Sequence, residues 1–79
     1  MRETIIEILE EIKAGVDYEN ESGIISRGIL TSLNVFALIN ALSNEFDVQI
    51  GADKLLPENF DSVNAIENLI KLLQDEDWV

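Results

Sequence analysis

Few side chains in this sequence can do chemistry. It has no cysteine and no histidine, so it lacks the best thiol nucleophile, the commonest general base and the usual zinc ligands. Asp17, Glu19 and Glu21 superficially resemble a calcium loop. Such a loop needs glycine at its sixth place and glutamate at its twelfth, and those places hold Ser22 and Gly28. These acids read as solvated. What remains is one hydroxyl in a distinctive place. In Gly28-Ile29-Leu30-Thr31-Ser32-Leu33-Asn34, Ser32 stands where an irregular stretch gives way to helical apolar spacing. The plain reading of Ser32 is a first-turn serine, with Thr31 as the helix cap. No nucleophile–base pair, metal cluster or glycine-rich phosphate loop is present in the pattern, so the chain is not expected to be an enzyme.

The bulk properties narrow the partners. Seventy-nine residues make one domain, 1–79, with a modest core, and 47% hydrophobic content suits a folded chain. The formal net charge is -11, which repels nucleic acid and anionic lipid but attracts basic patches on proteins. No apolar run approaches the ~20 residues of a membrane span. The opening Met1-Arg2-Glu3-Thr4 lacks the apolar core of a signal peptide. A cytoplasmic monomer is expected.

Three helices are needed to hold Ser32 in place. Ile5, Ile8, Leu9, Ile12 and Val16 recur at helical spacing and predict a helix over 3–16, with Thr4 and Glu7 as its capping box and Gly15 at its end. Segment 17–31 reads as a long connection, pinned by its own apolar residues, with Gly28 free to take a positive φ. Val35, Leu38, Ile39, Leu42 and Phe46 predict a second helix over 32–46. Asp53-Lys54-Leu55-Leu56 and Pro57-Glu58-Asn59-Phe60 read as two short turns, with Pro57 at a first helical position. Val63, Ile66, Leu69, Ile70 and Leu73 predict a last helix over 62–74, capped by Asp61 or Ser62, before an acidic tail carrying Trp78. The expected fold is all-α, a small bundle of three main helices plus one short helix.

Gly28 to Asn34, followed by a helix closing at Glu45-Phe46-Asp47 and the exit Val48-Gln49-Ile50, resembles the acyl carrier protein family. There, a serine followed by leucine opens the second helix, and the spacing from Ser32 to Phe46 is met without a gap. Leu56-Pro57-Glu58-Asn59-Phe60-Asp61-Ser62-Val63 is similar to the turn before the last helix, most like D-alanyl and other aminoacyl carriers. The resemblance spans nearly the whole chain. It implies that Ser32 carries 4′-phosphopantetheine from coenzyme A and that the arm holds an acyl or aminoacyl cargo as a thioester. It also implies partners: a phosphopantetheinyl transferase, a loading enzyme, and downstream acyltransfer or synthase enzymes of fatty-acid or specialised-metabolite synthesis. Phe36, Ile39, Ile66 and Ile29 are candidate walls for cargo between helices.

The chain departs from that family twice. Aspartate usually precedes the modified serine, and here Thr31 does; it can cap the helix but brings no charge. A carrier-like interaction module that never receives the arm is the alternative. The second helix is also nearly uncharged until Glu45, with Asn34, Asn40, Ser43 and Asn44 as its polar positions. The expected partner face is therefore neutral: Thr31, Leu33, Asn34, Ala37 and Asn40.

Overall fold

The computed structural model describes residues 1–76, and these form a small helical bundle. Its elements are α1 (Arg2–Ile12), α2 (Ser32–Phe46), α3 (Pro57–Phe60) and α4 (Val63–Glu76), with a 3-10 turn at Ala52–Lys54 before α3. No helix among the described residues is long and apolar enough to cross a membrane. Helix α1 packs on α2 and α4, and α3 packs on α4.

The predicted stripes supply the core. Ile5, Ile8 and Leu9 of α1 meet Leu38 and Leu42 of α2 and Val63, Ile66, Leu69, Ile70 and Leu73 of α4. Tyr18, Ile24, Leu30, Val48 and Phe60 fill the gaps from between the helices. Fully burying one such aliphatic side chain is worth about 1.5–3 kcal/mol. The long connection is thus held by its own apolar residues, as expected.

Helix α1 differs from its sequence expectation at both ends. It begins at Arg2, with Met1 as an N-cap that makes no side-chain bond. Thr4 therefore lies inside the first turn, and no Thr4–Glu7 capping box forms. Tertiary ties anchor this end instead: the Arg2 guanidinium donates to Asn64 Oδ1 and lies 3.6 Å from the Glu19 carboxylate. The helix stops at Ile12 rather than 16, because Lys13 turns extended at φ −148° and Gly15 takes φ +87°. Tyr18 secures that stop. Its ring is buried and its hydroxyl donates to the Lys13 carbonyl at 2.5 Å. Burial, and secondarily the charge of Glu10, pushes this phenol above its ordinary pKa.

The other boundaries follow local chemistry. Asp47 closes α2 in the left-handed region at φ 52°, its N–H donating to the Ser43 carbonyl, a conformation that aspartate tolerates better than most residues. Ser62 caps α4: its Oγ accepts from the Ala65 amide at 3.1 Å, and its carbonyl accepts from the Ile66 amide at 3.0 Å. Helix α4 runs on to Glu76, two residues past the expected end. Trp78 lies outside the described residues.

Candidate functional site at the start of α2

Ser32 is the first residue of α2, and it is exposed. Thr31 precedes it with extended dihedrals (φ −80°, ψ 172°) and forms a reciprocal box with Asn34. The Thr31 Oγ1 accepts from the Asn34 amide at 3.2 Å. In return, the Thr31 amide and hydroxyl both donate to Asn34 Oδ1, each at 3.0 Å. The box uses a hydroxyl where a carboxylate would be unable to donate. It consumes the amide of Asn34, and the Thr31 carbonyl accepts from Val35 at 3.0 Å. The amides of Ser32 and Leu33 have no carbonyl four residues back within the helix. That is a favourable place for one negative charge.

Upstream, Gly28 adopts φ +71°, as its position suggested, and a Cβ there would meet nothing within 4 Å. Glycine is needed at this point for its backbone freedom alone. The turn delivers Leu30 into the core and leaves Thr31 and Ser32 on the surface.

The residues expected to meet partners are found together. Leu33 is 82% exposed and Phe36 70%, and Ala37 and Asn40 are exposed on the same side of α2. Asn34 is only half-buried, and its side-chain oxygen is already occupied by Thr31. Phe36, expected as a cargo wall, instead extends the exposed strip. Three and four residues from Leu33 and Ser32, it lies one turn along the outward side of the helix.

An apolar cleft opens further along α2, where Val35 and Ile39, three and seven residues past Ser32, form part of its wall. It has a volume of about 160 Å³ and is lined by Ile25, Val35, Ile39, Leu55, Leu56, Pro57 and Phe60. Of the four walls expected from the sequence only Ile39 takes part. Ile66 is wholly buried in the core, and Ile29 and Phe36 do not reach the cleft. The cleft exists because Pro57 starts α3 where the exit from the 3-10 turn brings Leu55 and Leu56 back towards α2. Both leucines remain close to half exposed.

One residue that sequence reasoning left as a spare cap holds the far wall. Asp61 Oδ1 accepts from the amides of Ile25 and Ser26, both at 2.8 Å, and the Asp61 carbonyl accepts from the Ile24 amide at 2.8 Å. These bonds hold the Asp61 carboxyl below its ordinary pKa, the Ser26 amide being the largest cause. The signal in the sequence was two capping-type residues side by side, Asp61 and Ser62, where one helix needs only one.

No family model, curated protein or solved structure matches the chain significantly.

Proposed function

We propose that this chain is a carrier of the acyl carrier type, modified at Ser32 with 4′-phosphopantetheine, and that it is a substrate of other enzymes rather than a catalyst. The observation that carries the reading is the exposed Ser32 at the first position of α2, where the first amides have no partner within the helix. The residues present fit the group. A phosphodiester on Ser32 would face the amino end of a fifteen-residue helix, where a negative charge gains about 0.3–1 kcal/mol. That energy biases orientation and is too small to drive chemistry.

When attached, the arm supplies a thiol that holds acyl or aminoacyl cargo as a thioester. The chain's own residues do the rest. Thr31 and Asn34 fix the helix start, so that Ser32 is presented rigidly to a transferase. Leu33, Phe36, Ala37 and Asn40 offer that enzyme, the loading enzyme and downstream synthases a neutral apolar strip. This strip contrasts with the acidic remainder of the chain, and the single charge of α2 is Glu45. The apolar cleft suits shelter for a small apolar portion of cargo, because its lining offers no partner to a charged amine.

The second reading is a protein-interaction module that never receives the arm. It is favoured by Thr31, which removes the carboxylate that the carrier family places before its serine. Incubation with coenzyme A, magnesium and a broad-specificity phosphopantetheinyl transferase, followed by intact mass, separates the two. The carrier gains one phosphopantetheine and loses that gain in Ser32→Ala. No gain with several transferases supports the interaction module.

A further inference from the structure

Residues 24–28 make a single helix-like turn inside the long connection: the Arg27 amide donates to the Gly23 carbonyl at 2.8 Å and the Gly28 amide to Ile25 at 3.0 Å. The first amides of such a turn have no partner within it. Here those of Ile24, Ile25 and Ser26 all go to one distant residue, Asp61, through its carbonyl and its Oδ1. Asp61 thus caps a turn that lies 35 residues earlier in the chain. It also follows Phe60 directly, and Phe60 and Ile25 both line the apolar cleft.

We propose that Asp61 is a positioning residue that shapes the cleft, fixing Ile25 against Phe60 by capping the 24–28 turn across space. A lone turn of this length is unstable unless its ends are held. Without the cap, the amides of Ile25 and Ser26 must find water, and the turn moves outward to reach it. The Ile25 wall goes with the turn. The core beneath touches the turn through Ile24, but Ile66 and Ile70 share that buried cluster with Ile5, Leu9, Leu38 and Leu42 as well, and they contribute nothing to the lining. The proposal goes beyond the carrier reading and holds whether or not Ser32 is modified.

The test uses two readouts on the unmodified chain, amide hydrogen exchange and titration with benzene followed by methyl NMR shifts. Benzene is a fair probe, because it is small and wholly apolar, like the side chains that line the cleft. In Asp61→Ala, exchange at Ile25 and Ser26 accelerates roughly 10- to 100-fold, as expected for lost bonds to a charged acceptor. Exchange at Ile66 and Ile70 changes much less, and the benzene-induced shifts at Ile25, Val35 and Ile39 require higher benzene. Asp61→Asn keeps an acceptor oxygen without the charge and gives intermediate values of both readouts. It decides the matter if the alanine protein does not fold. Unchanged exchange at Ile25 and Ser26, equal acceleration at all four amides, or unchanged benzene binding overturns the proposal.

Discussion

Thr31→Asp installs the residue that the acyl carrier family places before its serine, and the structure gives its effect on stability. As a cap alone, aspartate accepts from the Asn34 amide at least as well as threonine does. Its charge at the start of α2 adds about 0.3–1 kcal/mol. Against this stands the return half of the box. The Thr31 hydroxyl donates to Asn34 Oδ1 at 3.0 Å, and a carboxylate has no proton to donate. It would instead bring one oxygen against another. Relief comes by turning the Asn34 amide over, which forfeits the bond from the Thr31 amide, worth about 0.5–1.5 kcal/mol. Gain and loss nearly cancel, and Thr31→Asp leaves stability within about 0.5 kcal/mol of its starting value. In an Asn34→Ala background there is no opposing oxygen, and the same substitution shows its full benefit. The double-mutant cycle yields a coupling of about 1 kcal/mol, or a 4–8 °C difference in thermal midpoint for a domain of this size. Thermal melts of the four proteins measure it. A Thr31→Asp benefit of 4–8 °C that is the same with and without Asn34 would refute the reasoning, because the box would then carry no coupling. Transferase kinetics on the same proteins ask separately whether the carboxylate is recognised as a charge.

Other outcomes follow from the same geometry. Asp61 has a depressed pKa in the folded state, so its contribution is fully present above the ordinary carboxylate range and is lost as the pH falls through the folded value. Urea midpoints measured downward from neutral pH should drop in acid, and the drop should be shallower in Asp61→Asn. Leu33→Glu should abolish modification of Ser32, whereas Glu45→Lys should barely change its rate; intact-mass time courses check both, and a dominant effect of Glu45 would contradict a neutral docking strip. Ile66→Ala removes a fully buried side chain and should cost about 2–5 kcal/mol in a urea melt. Phe36→Ser, at a side chain 70% exposed, should stay within about 0.5 kcal/mol of the parent.

The helices were legible because their stripes are long and regular. Leu38 and Leu42, or Ile66, Leu69, Ile70 and Leu73, can be aligned on one side only at helical spacing, and all are buried. Thr31 as a cap was legible from residue type and place, and so was the exposure of Leu33. Several other features depended on contacts distant in sequence. The end of α1 is set by Tyr18 reaching back to Lys13, which no local pattern announces, and Val16 misleads because it keeps helical spacing beyond the true stop. Phe36 is expected as a cargo wall, yet the core stripe passes through Val35, Leu38 and Leu42 and leaves Phe36 outside. The cleft escaped notice because its walls come from three separate segments, and their meeting depends on Asp61, whose partners lie 35 and 36 residues upstream.

That distant attachment also orders events in time. A chain leaving the ribosome exposes the 17–31 stretch well before Asp61 emerges, since synthesis proceeds at about 5–20 residues per second. Local helix formation is far faster than this, but a tie between residues so far apart must wait for its second end and then meet the entropy of closing the intervening loop. The first half of the molecule therefore emerges with its turn at 24–28 unclasped, and that turn takes its final form only when the last quarter of the chain arrives.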